Sequence, residues 1–114
     1  MKPSVSQDRP TMFRQGDVLL VARRSPLPAG AQIVPRDSGR VVLAYGEVTG
    51  HAHALLDLGV ELFEDAASAV RVLRVDALSS LLHEEHATIT LAPGLYDVVR
   101  QREYTPEAIR NVAD

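Results

Sequence analysis

The stretch RVVLAYGEVTGHAH, residues 40–53, decides the fold class. Its first part, residues 40–45, is an apolar run rich in β-branched residues and has the length of one β-strand. Gly46 and Gly50 follow, and glycines that bracket a short segment mark a bend or a close approach of the backbone. The pair His51 and His53 comes next. The pattern predicts a strand, a bend and a further strand that carries the histidines.

Similar short runs recur on both sides of this stretch. They predict strands over residues 16–22, 31–34, 53–57, 60–64, 69–75, 87–91 and 95–104. Residues 53–57 and 60–64 are expected to pair as a hairpin around Leu58 and Gly59. Residues 77–82 fit either a helical turn or a strand. So many short strands at regular spacing predict an all-β fold, a small antiparallel barrel or sandwich.

The two ends of the chain have different patterns. Residues 1–12 are polar with two prolines and are expected to form a flexible N-terminal arm, so that residues 13–114 form a single β-rich domain. Near the other end, Thr105 can cap a helix and Pro106 suits its first position. A short C-terminal helix over residues 106–112 and an extended tail are the two alternatives.

Composition excludes several functions. The net charge is −3 and Lys2 is the only lysine, so the chain has no basic face of the kind that nucleic acids or membrane surfaces require. There is no cysteine, which excludes disulfides, iron–sulfur clusters and thiol nucleophiles. The chain shows no signal peptide and no membrane span of ~20 apolar residues, and we expect a cytoplasmic protein. Unpaired strand edges leave a homodimer open, and no small-molecule or protein partner can be identified.

All four histidines fall in two short motifs, His51-Ala-His53 and His83-Glu-Glu-His86. On a strand, residues two apart point to the same face, so His51 and His53 can reach one ion. On one helical turn or in a tight loop, His83 and His86 lie on the same side. Histidines with a carboxylate suit Zn, Fe(II), Ni or Mn. The sequence therefore predicts one divalent-metal site, with a polar interaction surface or chance clustering as the alternatives.

Four further residues could support that site. Glu47 lies just before the first motif and could be a ligand, a base or an ordinary turn residue. Glu84, inside the second motif, could ligate, orient a ligating ring or act as a base. Gln101 and Glu103 share one face of the predicted last strand, and that face could reach the histidines or form a solvated strand end.

Several motifs together resemble a family of short, uncharacterised bacterial and phage-associated proteins. The motifs are QGDV (residues 15–18), GEVTGHAH (46–53), HEEH (83–86) and QREYTPE (101–107). The resemblance covers the chain from about residue 13 to the end and implies no particular activity.

The His-x-His pair also resembles the metal motif of the cupin superfamily. That likeness implies three histidine ligands, namely His51, His53 and either His83 or His86. The first histidine lies one residue closer to Gly46 than the cupin pattern has it. The carboxylate that cupins place shortly after the pair is missing, with Asp57 the nearest substitute.

Two functional hypotheses follow. The first is a small metal-binding protein, whose metal would polarise an oxygen or activate water or O2 if it were an enzyme. The second is a non-catalytic interaction or accessory module, in which the histidines and residues 101–107 form a binding surface. No serine-nucleophile, phosphate-binding or dinucleotide-binding motif is present, and the sequence does not decide whether the protein is an enzyme.

Overall fold

The computed structural model describes residues 11–46 and 51–101. All regular secondary structure in those two ranges is β-strand, which confirms the all-β prediction. The described strands are β1 (Met12–Gln15), β2 (Val18–Arg23), β3 (Ala31–Ile33), β4 (Val41–Tyr45), β5 (Ala52–Leu55), β6 (Val60–Asp65), β7 (Val70–Val75), β8 (Ser79–Leu81), β9 (Ile89–Leu91) and β10 (Gly94–Arg100). The described residues contain no helix, and therefore none that is long and apolar enough to span a membrane.

Most strands belong to one antiparallel six-stranded sheet, with the order β1-β2-β10-β7-β6-β3. Two hairpins, β4-β5 and β8-β9, form the rest. Ala54 and Leu82 join the hairpins through two backbone hydrogen bonds of 3.0 and 2.8 Å. The described strands thus form a sandwich-like arrangement rather than a closed barrel.

The core fills the space between the sheet and the hairpins. Successive side chains of a strand point to opposite faces, so every second side chain is directed into this space. The sheet contributes Leu20, Leu62, Leu73 and Tyr96, and the hairpins contribute Leu43, Leu55, Leu81 and Leu91. Seven of these eight side chains are at most 1% exposed, and Tyr96 is 5% exposed. Burying a leucine of this kind contributes roughly 1.5–3 kcal/mol, so the core holds the hairpins rigidly against the sheet.

The predicted hairpin of residues 53–57 with 60–64 is wrong. β5 pairs with β4, whereas β6 pairs with β3 and β7. The link between β5 and β6 crosses from one layer to the other, because Leu55 and Val60 fill the core from opposite sides. Arg36 holds this crossing, since its guanidinium donates hydrogen bonds to the carbonyls of Asp57 and Val60 at 2.6 and 3.1 Å.

Other expectations are met or corrected in detail. Residues 77–82 contain a strand, β8, and no helical turn. β1 starts at Met12, the last residue of the expected arm, and no strand was predicted there. The polar Gln15 is the buried residue of β1, so the apolar pattern that predicts strands does not reveal it. The predicted C-terminal helix lies outside the described residues, as does the end of the strand expected over residues 95–104.

Candidate metal centre

The four histidines lie together. The His83 ring centroid is 4.3 Å from that of His53, 4.6 Å from that of His86 and 5.9 Å from that of His51. The His53 and His86 centroids are 5.8 Å apart. Two imidazoles that bind one ion at ~2.1 Å and at a near-tetrahedral angle have centroids about 5 Å apart. The two motifs, which are 30 residues apart in the chain, are therefore brought together by the fold, with ring spacings close to those of histidines that share an ion.

Local features of the first hairpin place His51 and His53. A β-bulge between Val42 and Ala44 shifts the register, so that Ala44 lies opposite His53. The Gly46 N–H donates to the carbonyl of His51 at 2.8 Å, and a Cβ atom on Gly46 would lie 2.9 Å from the Cβ of His51. Glycine is therefore needed where the backbone approaches the first histidine, as the sequence predicts.

The turn between β1 and β2 runs against the cluster. Gly16 has φ +59°, a conformation that favours glycine at the first central position of a two-residue hairpin turn. A Cβ there would lie 2.7 Å from Nε2 of His86 and 3.2 Å from Cε1 of His53. A side chain at this position would displace the exposed His86 ring and crowd the buried His53 ring, and the positive φ already favours glycine. The next residue, Asp17, is brought to the edge of the cluster.

Gln15 fixes which nitrogen of His53 carries the proton. Its Nε2 donates to the carbonyls of Leu81 and Ala87 at 3.0 and 2.9 Å. Both amide hydrogens are therefore used, and Oε1 faces Nδ1 of His53 at 2.8 Å. Because Oε1 can only accept, the His53 Nδ1–H is the donor. A neutral His53 then keeps its lone pair on Nε2.

His53 is neutral near pH 7. Its residue is 3% exposed, and burial lowers the pKa of His53 to about 4, with repulsion from His83 adding to the shift. The Asp17 carboxylate acts in the opposite direction and does not offset these effects. Metals bind neutral imidazole, so His53 needs no deprotonation before it can act as a ligand.

Asp17 is an ionised carboxylate held by Arg100. Burial by itself would raise the pKa of Asp17, but the hydrogen bond and the charge of Arg100 outweigh it and lower the pKa. Arg100 Nε donates to Asp17 Oδ2 at 3.1 Å, and a terminal nitrogen of the same guanidinium donates to the carbonyl of Tyr45 at 2.7 Å. The other carboxylate oxygen, Oδ1, is directed toward His53.

Two lone pairs therefore face each other. Nε2 of His53 and Oδ1 of Asp17 are 3.4 Å apart. Neither atom carries a hydrogen in the protonation states derived above, so no hydrogen bond joins them. Two donor atoms that bind one ion at ~2.1 Å and a tetrahedral angle are separated by about 3.4 Å. This pair has the spacing of two ligands of one metal ion.

A third donor does not converge on the same point. Among the described residues, no group of three or more histidine or carboxylate side chains is arranged to hold a metal. His83 Nδ1 accepts a hydrogen bond of 2.9 Å from the Glu85 N–H, so a neutral His83 carries its proton on Nε2. His86 is exposed, and its side chain has no hydrogen bond or ion pair to another described residue. A rotation of the His86 ring is thus the smallest change that could add a third ligand.

The carboxylates of the second motif have separate contacts. Glu84 Oε1 accepts a hydrogen bond of 3.0 Å from the Ala52 N–H, and this bond lowers the pKa of Glu84. It ties the loop between β8 and β9 to the start of β5. Glu85 Oε2 lies 3.6 Å from Nδ1 of His51. Glu84 thus orders the loop, and Glu85 lies beside the outermost histidine.

The other predicted residues lie elsewhere or are not described. Glu47 and Glu103 fall outside the described residues. The Gln101 N–H donates to the carbonyl of Asp17 at 2.8 Å, so Gln101 borders the site through its backbone. Asp57, the substitute for the cupin carboxylate, accepts from the Ser80 N–H at 3.2 Å. The carboxylate beside the buried His53 comes instead from Asp17, which precedes the His-x-His pair.

Sequence reasoning missed Gln15, Asp17 and Arg100. Asp17 lies in the turn between β1 and β2, and this turn aims its carboxylate at His53. The one sequence feature that could have indicated Gln15 and Asp17 is the QGDV motif of residues 15–18. It is one of the motifs that carry the family resemblance, but the sequence assigns it no function. Nothing in the local pattern near Arg100 indicates its contact with Asp17.

Replacing Gln15 tests its control of the His53 proton. In metal-free protein near pH 7, ¹⁵N NMR should show His53 with its proton on Nδ1. Gln15→Leu removes three hydrogen bonds and should cost about 2–4 kcal/mol of unfolding free energy, with the Nδ1–H form no longer dominant. Arg14→Gln, a change on the exposed side of β1, is the control. An unchanged Nδ1–H signal in Gln15→Leu would contradict this role.

Stability should depend on pH through His53. In the unfolded chain His53 takes up a proton near pH 6.5, but in the folded protein only near pH 4. The unfolded state therefore binds more protons between these values, so stability falls as the pH falls, by about 3 kcal/mol over this window. Urea unfolding of chelator-treated protein at several pH values measures it. His53→Gln should flatten the dependence, and equal slopes for the two proteins would rule out this origin.

Comparison with known proteins gives a family for this chain. A family model described as Domain of unknown function (DUF8820) matches residues 14–101, a range that includes Gln15, Asp17 and all four histidines. No curated protein matches the chain, and no solved structure does. Because the match spans most of the chain, the protein belongs to the family described as Domain of unknown function (DUF8820).

Proposed function

We propose that this chain is a small metal-binding protein that holds one divalent ion between His53 and Asp17. The observation that carries the proposal is the 3.4 Å separation of His53 Nε2 and Asp17 Oδ1. Both atoms present lone pairs, and the pair is partly shielded from water. Two such acceptors repel each other, and a bound cation would turn that repulsion into attraction. The site is thus charged and shaped for an ion.

His86 is the third ligand in this proposal. Its Nε2 lies in the space above Gly16, next to the His53 ring. A change in its side-chain rotation can bring Nε2 toward Asp17 without breaking a hydrogen bond to another described residue. His83 would first have to release its bond to the Glu85 N–H. In this proposal His51 and His83 do not bind the ion directly in the arrangement described. They lie next to the ligands and stabilise the site.

The donor set suits a borderline metal. Imidazole nitrogen with one carboxylate oxygen fits Zn, Fe(II), Ni or Mn, and does not by itself select among them. Such an ion, when bound, can polarise an oxygen atom or activate water. The residues of this chain bind and orient the ion, with Gln15 fixing the His53 ring and Arg100 fixing the Asp17 carboxylate. Catalysis is not part of the proposal.

The origin and location of the protein form a smaller part of the proposal. The motif resemblance to bacterial and phage-associated proteins supports an origin of that kind. The expected cytoplasmic location agrees with a chain that has no cysteine, because disulfides are rare in that compartment.

Zinc titration by isothermal calorimetry tests the proposal. Untagged, chelator-treated protein should bind one zinc ion per chain. Asp17→Asn keeps the shape of the side chain but removes its charge, and should weaken binding about 10- to 100-fold. His53→Gln should weaken it at least as much, because it removes a nitrogen ligand.

Asp76→Asn is the matched control for charge. Asp76 is a loop residue whose side chain is 64% exposed and forms an ion pair with Arg74, so its replacement should leave zinc affinity unchanged. Zinc affinity that is the same in Asp17→Asn and in Asp76→Asn would exclude Asp17 as a ligand. Absence of binding to the wild-type protein would exclude the metal site altogether.

A further inference from the structure

A cavity of about 300 Å³ lies on the far side of β5 from the site formed by His53 and Asp17. Residues alternate along this strand. His53 and Leu55 face the six-stranded sheet, and Ala52 and Ala54 line the cavity on the opposite face. Because both are alanines, they leave space that larger side chains would fill. Leu56 and Leu82 complete its apolar walls.

Three polar side chains line the same cavity, namely Arg40, His83 and Glu84. Glu84 is already used, because it accepts the Ala52 N–H. The Arg40 guanidinium donates no hydrogen bond to a residue of the described ranges. Its charge does act on Asp37, whose pKa is lowered by the hydrogen bond from Tyr45 and also by Arg40. Asp37, three residues earlier, accepts hydrogen bonds from the hydroxyls of Tyr45 and Ser38 instead. The cavity thus has apolar walls and one cation with unused donors.

We propose that this cavity binds a small organic carboxylate with an apolar body. The planar guanidinium of Arg40 offers two parallel N–H donors, which match the two oxygens of a carboxylate. The alanine and leucine side chains would cover the apolar part of the ligand. Pockets near 300 Å³ are at the small end of those that hold organic ligands, which limits the ligand to roughly ten non-hydrogen atoms.

Charge favours a carboxylate over a phosphate. The cavity offers a single arginine, and the Glu84 carboxylate lies at the same wall. A doubly charged phosphate would be repelled by Glu84 more strongly than a singly charged carboxylate and would have no second cation to offset it. A protonated amine would be repelled by the positive charge of Arg40. A monocarboxylate is the ligand class that fits both groups.

His83 is shared by the cavity and the histidine cluster, since it lines the cavity and its ring is 4.3 Å from that of His53. A ligand in the cavity would therefore lie beside the cluster. The inference does not rest on metal binding, because its ligand contacts Arg40 and the apolar wall. Its test uses metal-free protein, so the two proposals can fail separately.

Methyl NMR of chelator-treated protein at pH 7, titrated with hexanoate up to about 10 mM, tests the inference. Hexanoate should shift the methyl signals of Ala52 and Ala54 in a saturable way. Hexanamide, which has the same size and no charge, should bind at least tenfold more weakly. That comparison uses only the wild-type protein and does not depend on how a variant folds.

Arg40→Gln should weaken hexanoate binding at least tenfold and should leave hexanamide binding unchanged. Arg14→Gln removes the same charge from an exposed position on β1 and is the control, with hexanoate affinity as in the wild type. The inference would be overturned by equal affinity for hexanoate and hexanamide, by equal affinity of Arg40→Gln and Arg14→Gln for hexanoate, or by the absence of saturable shifts.

Discussion

The three hydrogen bonds of the Gln15 side chain determine the architecture of the candidate site. Its amide nitrogen binds two carbonyls, one at the end of β8 and one in the loop before β9, and its oxygen accepts from His53. These bonds connect the edge of the six-stranded sheet to both hairpins. Gln15 is 3% exposed, and an unsatisfied buried amide costs about 1–3 kcal/mol. The same bonds that hold the layers together therefore select one proton position on His53.

The electrostatics of the site follow from the position of the His53 proton on Nδ1. The Gln15 side-chain oxygen accepts a hydrogen bond from the Nδ1–H of His53, burial keeps the ring neutral, and the Nε2 lone pair faces Asp17. On the other side Arg100 holds one oxygen of the Asp17 carboxylate and leaves the second oxygen free for the ring. His53 and Asp17 are thus each oriented by a partner that the proposed ion would not touch, the arrangement common around metal-binding histidines. The open part of the site is toward His86, which is exposed.

The sequence predicted the strands better than their pairing. Residues 40–45 form a short apolar run and residues 69–75 contain three valines, so the sequence predicts β4 and β7 close to their actual bounds. The hairpin expected around Leu58 and Gly59 failed because neighbouring strands were assumed to pair, whereas this link crosses between layers. The histidines could be identified from their residue type and spacing. Asp17 and Gln15 could not, because their role depends on where a turn lies in three dimensions.

X-ray absorption spectroscopy of the zinc-loaded protein is the most direct test of the central claim, that His53 and Asp17 hold one ion. The account predicts a first shell of nitrogen and oxygen at ~2.0–2.1 Å with imidazole scattering from at least two rings and one carboxylate. In Asp17→Asn the carboxylate contribution should disappear while imidazole scattering remains. A first shell of oxygen alone, or a spectrum unchanged by Asp17→Asn, would contradict the account.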